Sequence, residues 1–378
     1  MYFSLFLGPG VRGPHEDRIA LDLCIEQALE ADAAGFTAVY VGEQHFNNYE
    51  PYADGLTMAA FLAGRLEHAY LGTSVVPLVL HHPLNLVERA NLLDQLTRGR
   101  FILGMSGGRP REGKTWHKDA LTPEQRSALF DAKLDVMLRA WAHRAGDPPL
   151  EFSTPDEQGV MEGRMMPTPY RSPHPLYAIG TNTPAKIVEA GRRGQKVHLG
   201  PFDAGNAGRL AASYRAAMEE NGHPAELVEE NLRWLIHTKI VLVGETDDEA
   251  WDVAERLFTG PMVMAPWIRR DPAQDGWSLR KIYRADPGPF APAMGIPESQ
   301  GAFLHRTAIV GSPETVAAEL AAYRDAGLSH AHLRFIFGTL DDPDVFRRSF
   351  GLFTGEVMPR LGVDTIPGPV DRQVAATG

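Results

Sequence analysis

From Leu71 to Gly108 the chain reads as a strand, an amphipathic helix, a second strand and a glycine-rich turn. Leu71 to Leu80 is rich in Val and Leu without strict alternation, the pattern of a strand buried on both faces in a parallel sheet. Pro83 breaks that run. From Leu86 the apolar residues Leu86, Ala90 and Leu93 recur at three- and four-residue intervals while Glu88, Arg89 and Asp94 lie off the stripe, which predicts a helix with one buried face. Gly99 ends it, and Arg100 to Met105 is apolar again before Ser106, Gly107 and Gly108, where small residues let a ligand approach the backbone.

The same alternation runs along the chain. Strands are predicted at Tyr2–Leu7, Phe36–Val41, Leu71–Leu78, Phe101–Ser106, Leu176–Gly180, Val197–Leu199, Leu235–Val243 and His332–Phe337. Helices are predicted between and after them at Ile19–Ala34, Leu56–Leu66, Gln125–Trp141, Ala185–Arg193, Arg209–Asn221, Asp247–Phe258, Pro313–Ala326 and Pro343–Met358. Strands alternating with helices in this number predict an α/β fold, a (β/α)8 TIM-type barrel with insertions, rather than an open sheet. In such a barrel, function gathers at the carboxyl ends of the strands. Two stretches interrupt the pattern, Arg109–Pro123 and Thr259–Gly301, the second with seven prolines and little periodicity. Long aperiodic loops of this kind serve as lids or binding loops, so 259–301 is the candidate lid insertion. With no internal repeat and no interdomain linker, residues 1–365 read as a single domain and 366–378 as a flexible tail.

Composition narrows the class. The chain has 44% hydrophobic and 22% charged residues, an ordinary globular balance. Its net charge of −11, without a strongly basic stretch, argues against a nucleic-acid partner. The single cysteine, Cys24, falls on the helical stripe of Leu21, Ile25 and Ala28 and reads as a buried structural thiol. The amino terminus, MYFSLFLGPG, lacks a basic region and reads as a first strand, and no segment holds the roughly 20 apolar residues that span a bilayer. A cytoplasmic protein without membrane attachment is expected.

Two motifs invite other functions. Gly108 to Thr115 matches the phosphate-loop pattern G-x-x-x-x-G-K-T, but Pro110 lacks a backbone donor, Glu112 repels phosphate and no striped helix opens after Thr115. Gly8 to Gly13 matches G-x-G-x-x-G, yet Pro9 and Pro14 disrupt the strand-to-helix turn that dinucleotide binding needs. A plain glycine-rich βα loop is the simpler reading of the second.

The second strand ends in Gly42-Glu43-Gln44-His45-Phe46, at the active face of a barrel. A histidine there can tie a loop to a carbonyl, or, with Glu43 fixing its tautomer, act in acid/base chemistry or as a hydrogen-bond donor. His45, Gln44 and Glu43 are therefore the candidate catalytic residues. His81 and His82 lack the further ligands of a metal site and read as structural or substrate-side residues, so no metal is expected.

The strand ending in Glu-x-His-Phe, then GTSVVPLVLHHP, NLLDQLTRGRFILGMSGG, LYAIGTNTPAKIVEAGRRG and GSPETVAAELAAYRDAG with FTGEVMPRLG, together resemble the bacterial luciferase-like flavin monooxygenases over nearly the whole length. The resemblance implies a luciferase-like (β/α)8 barrel. It also implies reduced FMN delivered by a separate flavin reductase, and transfer of one oxygen atom of O2 to an organic small molecule through a C4a-peroxyflavin. F420-dependent hydride transfer, a non-catalytic flavin-binding subunit and, from the motif above, a phosphate-loop hydrolase are the alternatives.

By position, the resemblance places Thr73, Ser74 and Val75 beneath the isoalloxazine, with a non-proline cis peptide between Ser74 and Val75. It puts Ser106 and Gly107 near the flavin, and has Asn182 and Thr183 receive the phosphate at a helix N-terminus. Plain N-capping is the alternative for the last two. The luciferase α subunit has two histidines after the glutamate, and Gln44 stands where the first would be. It also has an arginine where this chain has Gly107, and Arg109 or Arg126 is the candidate to replace that charge. The resemblance implies a homodimer through the helices after strands two and three. Phe46, Tyr49, Trp267, Trp277 and Phe290 point to an apolar or aromatic guest, or to loop anchors, and hydroxylation, epoxidation and Baeyer–Villiger insertion all remain open.

Overall fold

The computed structural model of the chain describes residues 1–110, 112–258, 278–284, 300–338 and 340–366. Eight parallel strands form its centre: β1 (Tyr2–Leu7), β2 (Ala38–Val41), β3 (Tyr70–Thr73), β4 (Phe101–Ser106), β5 (Leu176–Gly180), β6 (Lys196–Leu199), β7 (Ile236–Val243) and β8 (His330–Arg334). Each pairs with the next, and β8 returns to β1 through Tyr2 opposite His330, so the sheet closes. The join between β6 and β7 is short, with Ile236 opposite His198 and His237 opposite Leu199. These eight strands are the eight that periodicity predicts. The fold is a luciferase-like TIM-type barrel.

The strands bury side chains on both faces, which explains why their sequences do not alternate. Outward residues such as Phe3, Leu5, Val39, Leu71 and Leu103 pack against the helices. Cys24 belongs to that layer, fully buried as expected, and burial pushes its thiol far above the usual range. Inward, Tyr40, Tyr70, Ile102, Trp234 and Ile236 fill the barrel. Tyr40 stands edge-on to two histidines, with ring centroids 5.2 Å from His198 and 4.9 Å from His332. Burial lowers the pKa of His198 to about 3 and of His330 to about 4, so both are neutral in the native barrel.

Local chemistry sets where the helices begin. Pro83 occupies the first turn of the helix Pro83–Leu96, where its missing N–H costs nothing. Thr122 and Gln125 form a reciprocal capping box that starts the helix Pro123–Ala142. Arg98 and Gly99 both have positive φ and turn the chain into β4.

Several boundaries differ from the sequence pattern. Leu71–Leu78 is not one strand: β3 stops at Thr73, the Ser74–Val75 peptide is cis, Val76–Pro77 pairs with the end of β4, and Leu78–Leu80 is a 3-10 turn. The apolar run continues because its residues remain buried after leaving the ladder. The last strand covers His330–Arg334 rather than His332–Phe337; Phe335 to Phe337 is buried without being paired. An antiparallel hairpin, Leu150–Ser153 with Gln158–Met161, and a strand Ala308–Gly311 flanking β7 were not predicted, nor was the helix Ala225–Arg233. The candidate lid 259–301 lies outside the described residues except for 278–284 and 300–301, and the tail does so after Ile366. Among the described residues, no helix is long and apolar enough to cross a membrane.

Candidate active site

The carboxyl end of β2 is built around a glycine. A Cβ on Gly42 would stand 2.2 Å from Glu50 Oε1, so the bare glycine lets the Glu50 carboxylate of the following loop pack against the strand end. That loop is then pinned to the end of β1: Gly10 N donates to Tyr49 O at 2.9 Å and Val11 N to Asn48 O at 2.7 Å. The Tyr52 hydroxyl donates to Leu7 O and accepts from Gly42 N. From β8, the buried Arg334 donates to the Tyr49 hydroxyl at 2.6 Å and lies over its ring at 4.8 Å.

On this frame Glu43 is 4% exposed, and its Oε1 accepts from two histidines, His45 Nε2 at 2.9 Å and His81 Nε2 at 2.6 Å. Burial acts to raise the carboxyl pKa, and the two imidazole hydrogen bonds outweigh it, so the group sits below its ordinary value and is a carboxylate at neutral pH. A carboxylate only accepts, so both imidazoles carry their proton on Nε2 in these bonds. His45 also packs edge-on against Trp116 at 5.0 Å. Glu43 Oε2 is buried and has no hydrogen-bond partner among the described residues.

Glu43, Gln44, Tyr49 and Phe6 line one side of a cavity of about 220 Å³. Ser74 and Val75, Ser106 and Arg109 line the other. A Cβ on Gly180 would lie 2.7 Å from Val75 Cγ1, so the bare end of β5 leaves room for the Val75 side chain. Ser106 also borders a neighbouring cavity of about 160 Å³, shared with Gly107, Thr181, Lys186 and Arg193. A larger cavity of about 380 Å³, beside Asn91, Trp141 and Arg171, adjoins the turn that precedes β4, on the amino-terminal side away from these residues.

The structure thus brings together Glu43, Gln44, Ser74, Val75, Ser106 and Arg109, with His45 joined through Glu43 and Gly107 across Ser106. Thr73 is fully buried beneath them, and its hydroxyl donates to Gly104 O at 2.8 Å, holding β3 to β4. Asn182 and Thr183 border neither cavity. Thr183 occupies the N-cap position of the helix Pro184–Arg192 without a side-chain cap bond, and Asn182 Oδ1 instead accepts from Gly200 N at 2.7 Å. Plain side-chain N-capping is therefore not their role.

Of the two arginines, Arg109 faces the cavity, whereas Arg126 is buried and donates to Gly107 O and to Lys118 O at 2.7 Å. His82 packs edge-on against Phe152 of the hairpin. Among the described residues no group of His, Cys, Asp or Glu could hold a metal ion. The loop Gly108–Thr115 leads into a 3-10 turn, Glu112–Trp116, and the next long helix starts at Pro123, so the phosphate-loop match lacks its strand–loop–helix context. The closed barrel likewise replaces the open sheet that the G-x-G-x-x-G reading needs.

Sequence reasoning left three residues without a specific role. His81 read as structural or substrate-side, and its partner Glu43 lies on another strand end. Lys186 and Arg193 were ordinary helix cations until β4 and β5 met; the only signal was the position of Lys186 in the first turn after Thr183.

The profile of the luciferase-like monooxygenase family matches residues 1–330, and the chain belongs to that family. It is 27% identical to 4-hydroxyprotoasukamycin monooxygenase of Streptomyces nodosus subsp. asukaensis over 391 residues, an alignment covering 100% of this chain and 95% of that protein. A shorter match, 31% over 140 residues, spans 37% of this chain and 39% of the uncharacterized protein y4vJ of Sinorhizobium fredii. The fold is shared with monooxygenase RslO1 of Streptomyces bottropensis, at a TM-score of 0.74 and 23% identity over 96% of this chain and 100% of that one. It is shared with the oxygenating constituent of Pseudomonas putida 3,6-diketocamphane monooxygenase, a complex with FMN, at 0.72 and 20% over 96% and 99%. An F420-dependent secondary alcohol dehydrogenase also has it, at 0.68 and 16% over 96% and 99%.

Proposed function

We propose that the protein is a flavin-dependent monooxygenase that takes reduced FMN from a separate flavin reductase and uses O2 to oxygenate an organic small molecule. The observation that carries this is the cavity at the carboxyl ends of β2, β3 and β4. It combines a buried carboxylate, the strand end at Ser74–Val75 and the small residues Ser106 and Gly108 within a family of monooxygenases. When bound, reduced FMN supplies the electrons and activates O2.

The chain's own residues do the rest. Ser74, Val75 and Ser106 line the cavity where the ring would lie, and Thr73, bonded to Gly104 O, ties β3 to β4 beneath them. Lys186, in the first turn of the helix Pro184–Arg192, and Arg109 supply positive charge for a phosphate, with Asn182 and Thr183 shaping the same helix end. Phe6 and Tyr49 give the cavity an apolar side for the organic acceptor and help exclude water. Gln44 offers a hydrogen bond to what the cavity holds, and Glu43 and His45 hold each other at its edge.

In this reading residues 1–365 fold as one cytoplasmic domain and the protein works as a homodimer. The test is reoxidation of reduced FMN by O2, followed at the flavin absorbance with and without the protein. Reoxidation slowed at least about tenfold supports a site that shelters the flavin from water; reoxidation at the rate of free flavin sinks it.

A further inference from the structure

We propose that Glu43, rather than His45, is the group that meets the ligand: its free oxygen accepts from a ligand N–H or O–H, while His45 and His81 act as a paired clamp on its other oxygen. This rests on the monooxygenase reading for what the cavity binds. It differs in assigning the contact to a carboxylate and in giving His81 a role.

The geometry is asymmetric. Both Nε2 donors converge on Oε1, at 2.9 and 2.6 Å, and Oε2 is left buried without a partner among the described residues, in a side chain that lines the cavity. A buried carboxylate oxygen with no donor is costly, and a donor brought by a ligand removes that cost. Neither imidazole borders the cavity, so neither is placed to touch what it holds. The clamp is rigid on both sides. His45 packs on Trp116, and the His81 carbonyl accepts from the fully buried Lys133 at 2.7 Å, which ties it to Asp156 of the hairpin turn at 3.1 Å. His81 thereby supplies a second histidine to Glu43 in a chain whose loop carries Gln44 beside His45. The titratable and charged groups around Glu43 are His45 from its own loop, His81 from the segment after β3, and Tyr49, Glu50 and Arg109 around the cavity.

A flavin N–H and a substrate hydroxyl share the required chemistry, and Glu43→Gln separates them. Because two N–H donors hold the Oε1 position, the glutamine must keep its carbonyl there and turn its NH2 into the cavity, replacing an acceptor with a donor in the same volume. Two affinities are then measured in wild type and variant: reduced FMN under anaerobic titration, and phenol against toluene by NMR, both with and without FMN. The expected result is a roughly tenfold or greater loss in one of them. Loss of reduced-FMN affinity assigns the donor to the flavin, and loss confined to the advantage of phenol over toluene assigns it to the substrate. A folded variant unchanged in both overturns the proposal. Wild type that binds no reduced FMN overturns the monooxygenase reading instead, and the phenol comparison alone then decides the role of Glu43.

His81→Leu and His81→Gln test the clamp. Losing one N–H donor makes Glu43 easier to protonate, so the acid limb of ligand binding moves to higher pH in His81→Leu and returns in His81→Gln, whose amide N–H replaces Nε2. An acid limb that stays in place in His81→Leu shows that His81 only packs.

Discussion

Glu43 and His81 stand 38 residues apart in sequence and 2.6 Å apart at Oε1 and Nε2. One comes from the end of β2 and the other from the turn after the kinked end of β3, so the contact exists only because the strands are neighbours in a closed barrel. It joins two loops that periodicity treats as separate, and it puts an ionised carboxylate beside the cavity.

The phosphate assignment separates FMN from riboflavin. Lys186→Ala is expected to weaken FMN binding about tenfold and leave riboflavin unchanged, because a charge-assisted phosphate contact contributes roughly 1.5–3 kcal/mol and riboflavin has none. Arg109→Ala gives the second comparison. If FMN binds both variants as tightly as wild type, the phosphate lies elsewhere.

Four histidines make the fold acid-sensitive. His198, His237, His330 and His332 are all held below the ordinary imidazole value by burial. Above the unfolded value of about 6.5 both states are neutral and nothing is lost. Below it the unfolded chain takes up protons that the folded barrel does not, so stability falls as pH drops from about 6.5 toward 4, by up to about 1.4 kcal/mol per pH unit for each histidine. Urea midpoints between pH 7.5 and 5 measure this. A His198→Phe, His332→Phe double variant that stays folded is expected to flatten the slope.

Gly104 is a packing requirement inside the barrel. A Cβ there would lie 2.0 Å from Thr73 O and 2.9 Å from the His198 ring, and a backbone oxygen cannot swing aside. Gly104→Ala is expected to cost about 3 kcal/mol or more by overpacking. Chemical denaturation checks it; a loss below about 1 kcal/mol contradicts the close approach.

Lys239 fastens the helix Gln300–Thr307 to β7. Its fully buried ammonium donates to the carbonyls of His305 and Arg306, at 3.1 and 2.7 Å, and lies 4.7 Å from the Tyr323 ring centre, while burial lowers its pKa to about 7. Lys239→Ala leaves both carbonyls without that donor and opens a cavity, at an expected cost of about 2–4 kcal/mol. Chemical denaturation measures this cost; unchanged stability would show that the anchor is dispensable.

The barrel was legible because β1 to β8 are apolar runs spaced by striped helices, a signal carried within each segment. The hairpin Leu150–Ser153 with Gln158–Met161 was not: most of its residues are solvent-facing or half-buried, and what holds its turn is the pairing of Asp156 with Lys118 and Lys133, residues from other elements. The site divides the same way. Glu43 and His45 are two residues apart and could be joined on paper, and the Ser74–Val75 cis peptide came from family resemblance. His81 and Lys186 depend on which strand ends become neighbours, and the single-strand reading of Leu71–Leu78 failed because buried side chains look alike inside a ladder and just beyond it.

The most direct test of the central claim is anaerobic titration of the purified protein with reduced FMN and, in parallel, with reduced F420. Reduced FMN is expected to bind tightly and reduced F420 weakly or not at all. Tight binding of reduced F420 alone would contradict it and make the cavity a site of hydride transfer, and binding of neither would leave a luciferase-like barrel without flavin chemistry.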